Sequence, residues 1–268
     1  MDKLIRKILT VVLVLAMVGC SRHYYVKEFP VSGKAKVEKA PKIAYLGFRT
    51  YQSRVTGSAS RRTTYTAELV YETRTIPKLE NGVFINQLKS SGFRGDIPSD
   101  KAQAFAMEYL GAVKSSGALE ISTLVDVEKK GGDVKIFKLR NFPVDYYVIG
   151  VHGPAFRKNT NFGISVVEVF SSLFSMVTLG LIPVYSSDLA KTEVKIYDKN
   201  LKLVNSLEYD NSYSTIDAIW ASPNPPHCKM LECTEQIGSP PSIVYSEMGP
   251  RIEEDVLNSI QKPAVPTN

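Results

Sequence analysis

The chain has 268 residues, 44% of them hydrophobic and 22% charged, and its 33 lysines and arginines against 27 aspartates and glutamates leave a formal net charge of +6. That apolar fraction excludes a disordered polyelectrolyte and is enough for one large or two modest folded domains. The positive charge is thinly spread, with no Arg-rich helix and no aromatic-basic pattern, so no nucleic-acid partner is expected.

Residues 1–20 read as an address. Asp2, Lys3, Arg6 and Lys7 form a charged head, residues 8–18 are apolar apart from Thr10, and Met17-Val18-Gly19-Cys20 closes the segment. A charged head, an apolar stretch of about 7–15 residues and small residues before the cut describe a secretory signal peptide. The segment resembles a bacterial lipoprotein signal, in which cleavage precedes the cysteine and lipid is attached to its thiol and new amino group. Residues 1–19 are then the signal peptide and Cys20 is the lipidated start of the mature chain, with palmitate-type acyl groups and membrane lipid as its partner. Two or more acyl chains make a stable anchor, at about 0.8 kcal/mol per buried CH₂. Ser21-Arg22, in place of an aspartate after the cysteine, points to the outer membrane, facing the periplasm or the cell surface.

Residues 20–41 read as a flexible tether, since Pro30, Ser32, Gly33 and alternating lysine and valine offer little to bury. The body opens at 42–48 (Lys-Ile-Ala-Tyr-Leu-Gly-Phe), an uncharged buried strand. Residues 52–62 read as a mobile polar loop and 63–75 as a second strand with Tyr65, Ala67, Leu69 and Tyr71 on one face. Two amphipathic helices follow over 77–92 and 100–117, each ending Lys-Ser-Ser-Gly, where a last-turn lysine and a glycine able to take positive φ are stop signals. Strands resume over 118–127, 134–139 and 144–152, with His152 read as a surface or turn residue. Strands separated by helical patterns predict an α/β fold, a mixed β-sheet with amphipathic helices packed on it.

Residues 162–185 stand apart because Glu168 is their only charge and 169–185 hold seventeen uncharged residues. A helix packed inside the domain or at a subunit contact is the leading expectation. An interfacial membrane element is the rival, and a full span, at the lower edge of the required length, comes third. Leu173, Phe174, Met176, Leu179, Leu181 and Ile182 are the candidate membrane or partner contacts, the partner being a second copy or another envelope protein. Residues 191–198 and 202–209 form a hairpin about Asp198-Lys199-Asn200. The body is read as 42–221, and 222–268 as a Pro-rich, cysteine-bearing extension with a helix over 250–260. There Cys228 and Cys233, flanked by Ser222-Pro-Asn-Pro-Pro226, are expected to form a disulfide in an oxidising compartment. A metal site using both with His227 is the alternative, but adjacent His and Cys rarely reach one ion and no second cysteine pair exists. No metal and no cofactor is expected.

The strand at 42–48, the two Ser-Ser-Gly helix ends, Asp145-Tyr-Tyr-Val-Ile-Gly150 and Leu179-Gly-Leu-Ile-Pro183 before a hairpin resemble bacterial envelope lipoproteins of the type of the TolB amino-terminal domain and the curli secretion lipoprotein CsgG, over about 42–210. The resemblance implies a scaffold, assembly or secretion-accessory role. Nucleophile-elbow, zinc-protease and phosphate-loop motifs are all missing, and Asp145, Glu168, Asp210 and Asp217 have no spacing that gathers them. A non-enzymatic, lipid-anchored envelope protein is therefore expected, with a surface-exposed binding lipoprotein and an envelope enzyme as alternatives.

Overall fold

A computed structural model of the chain describes residues 21–33, 41–59, 62–71, 74–76, 79–131, 134–153, 161–226, 228 and 240–261. In chain order these form strands β1 (Ser21–Tyr25), β2 (Ile43–Gly47), β3 (Tyr51–Ala59), β4 (Arg62–Leu69) and β5 (Val83–Phe84), then helices α1 (Ser99–Val113) and α2 (Ala118–Ser122). Strands β6 (Val125–Lys129), β7 (Lys135–Leu139) and β8 (Tyr146–His152), helix α3 (Phe162–Val177), and strands β9 (Val184–Asp188), β10 (Lys191–Asp198), β11 (Leu203–Asp210) and β12 (Tyr213–Ala218) follow. Helices α4 (Ile243–Ser246) and α5 (Gly249–Gln261) end the series. The fold is mixed α/β, with several sheets and helices packed on them. Two compact units share the chain: Met1–Lys27, Phe156–Ala190 and Asn211–Gly238 make one, and Glu28–Ala155, Lys191–Asp210 and Ser239–Asn268 the other.

The larger unit is built on a five-stranded sheet in the order β11-β10-β8-β2-β5. Strand β2 is buried along its whole length and runs parallel to β8, with Ala44 opposite Tyr147 and Leu46 opposite Ile149. Burial on both faces explains why its sequence lacks charge instead of alternating. Strands β10 and β11 form the expected hairpin, and the Asp198 carboxylate accepts the amides of Asn200 and Lys202, both at 2.8 Å, to hold the turn. Helix α1 buries Ala102, Phe105, Ala106, Tyr109 and Val113, spaced by three and four residues on one face. Lys114 takes the positive φ at its end (56°), not Gly117. Gly117 is required for another reason, because a Cβ there would overlap Val113 and lie 2.9 Å from the Tyr109 ring.

Several expectations are corrected. Residues 79–92 are not helical: β5 pairs parallel with β2, and Ile85–Gln87 is a single 3₁₀ turn. Gly82 (φ 143°) packs against the Tyr45 ring, where a Cβ would sit at 2.6 Å, and the Asn81 amide donates to Glu253. Residues 52–59, read as a loop, pair with β4 as a long ribbon in which Tyr51 faces Leu69 and Val55 faces Tyr65. Residues 118–122 are helical, and the strand begins only at Val125. The tether reading fails for 21–33: β1 pairs antiparallel with β12 in the smaller unit, while in the larger one Ser32 donates its amide to Glu254 and Phe29 packs edge-on against Tyr209. Residues 34–40 lie outside the described residues.

Two buried polar clusters lie in the larger unit. Glu120 on α2 is 2% exposed and accepts the Gly47 amide at 3.2 Å, the Arg74 guanidinium at 3.1 Å and the Arg49 guanidinium. Arg49 continues to the Tyr71 carbonyl at 2.6 Å, and Arg74 lies 4.0 Å over the Phe84 ring. His152, expected at the surface, is instead buried, hydrogen-bonded to the hydroxyls of Thr75 and Thr192 and stacked on Tyr245 at 3.7 Å. Burial pushes its imidazole down from 6.5 to about 3.

Glu120→Gln is expected to cost about 3 kcal/mol or more in urea unfolding, since removing one partner leaves buried guanidinium charge uncompensated. The His152 shift sets a pH dependence. Unfolded chains protonate near pH 6.5 while the folded imidazole resists until about 3, so its stabilising contribution is complete above 6.5 and is lost as pH falls through that window. Urea titrations between pH 6 and 5 should show stability falling by up to about 1.4 kcal/mol per pH unit, and His152→Gln should flatten that slope.

Candidate interaction surface

The smaller unit carries a three-stranded sheet, β1-β12-β9, in which Tyr24 faces Thr215 and Thr215 faces Ser186. Arg22 on β1 grips Asp217 on β12 with two hydrogen bonds of 2.7 Å. Helix α3 lies against β9. Asn161 caps its start by accepting the Gly163 amide at 3.0 Å, a side chain suited to the orphan donors of a helix N-terminus. Its end is closed by Leu179 and Gly180, both at positive φ, with the Gly180 amide reaching the Ser175 carbonyl at 2.8 Å.

The contact between α3 and β9 is carried in part by polar side chains. Glu168 accepts the Ser187 amide at 2.9 Å, Ser171 accepts the Tyr185 amide at 3.1 Å, and Ser175 is 7% exposed. Residues 168, 171 and 175 are spaced by three and four, which sets them on one face. Most of the apolar residues of α3 are turned outward, while Ile164 and Val166 are half-buried. Phe162 is 82% exposed, Val177 81% and Met176 76%. Leu173, Phe174, Leu179 and Leu181 are each more than half exposed, and Ile182 is 41% exposed. Trp220, also exposed, donates its indole N–H to the Leu181 carbonyl at 2.8 Å and ties the turn after α3 to the end of β12. An amphipathic helix on a soluble sheet normally shows the opposite arrangement, apolar side in and polar side out.

This arrangement corrects the expectation of a helix packed inside the domain. All six candidate contact residues lie on one continuous stretch of helix and turn, and all face out. Sequence reasoning located them from the missing charges but did not include Phe162, Phe170, Val177 or Trp220. Asp145 accepts the Lys42 amide at 3.0 Å, and Glu168 and Asp217 are engaged as described, so these carboxylates serve local structure. Among the described residues, no group of three or more His, Cys, Asp or Glu could hold a metal ion.

The expectation of an outer-membrane lipoprotein bearing palmitate and a signal peptide is also corrected among the described residues, and residues 1–20, on which it falls, lie outside them. The described residues carry no lipoprotein, signal-peptide or membrane feature, and no helix among them is long and apolar enough to cross a membrane. Cys228 is buried and disulfide-bonded, and the expected pairing with Cys233 falls outside the described residues. Comparison with family models, curated proteins and solved structures returns no match.

The Glu168 contact is directly testable. Glu168→Ala removes a charged acceptor from a part-buried amide and should destabilise the α3–β9 packing by about 1.5–3 kcal/mol, read as faster hydrogen exchange at the Ser187 amide with exchange in β2 unchanged.

Proposed function

We propose that this chain is a non-catalytic assembly protein of the cell envelope that docks a partner on the outward face of α3. The observation carrying this reading is the inverted helix, whose polar row is used up on its own sheet while its apolar rows meet solvent. A contiguous exposed apolar patch marks an interaction site on a folded protein. The envelope location is proposed from the charged head at residues 2–7 and the apolar stretch of 8–18. A scaffold role is further supported by the lack of any nucleophile, base or phosphate-binding pattern in the sequence.

The test combines two substitutions with two measurements. Leu173→Asp and Leu179→Asp alter exposed positions and should change thermal unfolding by no more than about 0.5 kcal/mol. In sedimentation of the full chain in a detergent extract of cells, where any partner is present, the wild type should run as an assembly larger than its own 29.7 kDa, and both variants as single chains. A wild type that already sediments as a single chain, indistinguishable from the variants, overturns the reading.

A further inference from the structure

We propose that the partner docked on α3 is the α3 of a second copy of this chain, antiparallel to the first about a two-fold axis at the middle of the helix. The inference rests on the assembly reading above and names its partner. Four observations lead to it.

The outward face consists of two rows spaced by four residues, Phe170 with Phe174 and Val169 with Leu173 and Val177. Rows of this spacing on two helices interdigitate, the commonest helix packing in globular proteins. The Phe170 and Phe174 rings are already aligned, 6.3 Å apart with 26° between their planes, so one ridge is set before contact.

Antiparallel pairing about the midpoint of Phe162–Val177 places Phe162 across from Val177 and Phe170 across from Val169. Each match sets a ring against a short branched side chain. It also covers the most exposed position at one helix end with the most exposed position at the other, and it opposes the two helix dipoles.

Charge favours a copy of the same surface over other occupants. From 162 to 187 the only charged side chain is Glu168, and that one is held by the Ser187 amide. A charged partner would find no counter-charge here, and a helix lying in a bilayer surface carries Lys and Arg along its polar face, whereas α3 has neither. Two neutral apolar faces meet with no charge to desolvate, and a two-fold dimer is the commonest closed assembly.

The area is sufficient. With aromatic side chains offering about 150–250 Å² each and the exposed fractions seen on α3, the outward face presents on the order of 800 Å². That is about the share each partner contributes to a standard stable interface.

The experiment uses the full chain in cells, with Phe170 replaced by benzoylphenylalanine and the same probe at the exposed Leu119 of α2 as control. Ultraviolet light should give an adduct of twice the chain mass from the position-170 probe only, with the cross-linked peptide mapping to α3 of a second copy near Val169. Co-capture of two differently tagged copies should fall at least tenfold when both carry Leu173→Asp, with the far-ultraviolet circular dichroism of the folded chain unchanged. An adduct to a different protein overturns self-pairing and leaves the assembly reading standing, whereas an adduct to lipid overturns both. No adduct from a chain that also sediments singly overturns both.

Discussion

The larger unit depends on one buried carboxylate. Glu120 binds the last amide of β2, the arginine two residues beyond it and the arginine five residues beyond β4, so two stretches of chain converge on this one side chain of α2. They converge where β2 has to end. Gly47 and Phe48 both take positive φ (81° and 56°), and a Cβ on Gly47 would overlap the Gly150 carbonyl, so the chain turns sharply out of the sheet. An ion taken out of water costs several kcal/mol, which its partners offset only when geometry and further hydrogen bonds are good. Here the further bonds are present: Arg49 also donates to the Tyr71 carbonyl and lies 4.9 Å from the Tyr71 ring. Such a cluster adds little net stability over an apolar core of the same volume. It does allow only one arrangement of the segments that converge on it.

The smaller unit follows different rules. Its three strands are short, its Arg22–Asp217 ion pair is partly exposed, and its helix makes hydrogen bonds to β9. Exposed ion pairs contribute at most about 1 kcal/mol, and net hydrogen-bond contributions are of similar size. Its largest unused source of stabilisation is therefore the apolar surface it leaves in water. Covering that surface with a second copy, as proposed, would add stabilisation that the hydrogen bonds of this unit do not supply.

Much of the architecture was legible in residue periodicity. Strand β2 and strand β8 are uncharged because both faces are buried, α1 shows its three-and-four spacing, and the Asp198 turn carries its own acceptor. What was missed shares a cause: a long-range partner overrides a local pattern. Residues 79–92 have helical spacing, but Gly82 must approach the Tyr45 ring, and Val83 with Phe84 is claimed by the edge of β2. Residues 118–122 read as strand, yet a helical turn is what brings Glu120 to Arg49 and Arg74. His152 next to a glycine and a proline suggests a turn, and only Thr75, Thr192 and Tyr245, distant in sequence, make it a core residue.

The site itself was half legible. Seventeen uncharged residues announce an unusual segment, but hydrophobicity alone does not say which way it faces. That information is held in the polar minority, Glu168, Ser171 and Ser175, spaced by three and four. On a helix buried in a core, such a row would be an unsatisfied polar stripe and costly to bury. On this helix each member finds a partner or a buried place at its own sheet, which leaves the opposite side for something apolar. In an apolar helix with a single polar row, that row identifies the side facing the protein whenever an adjacent strand offers free amides, as β9 does at Tyr185 and Ser187. The outward surface is then the complement of the row, and its residues follow from the same spacing.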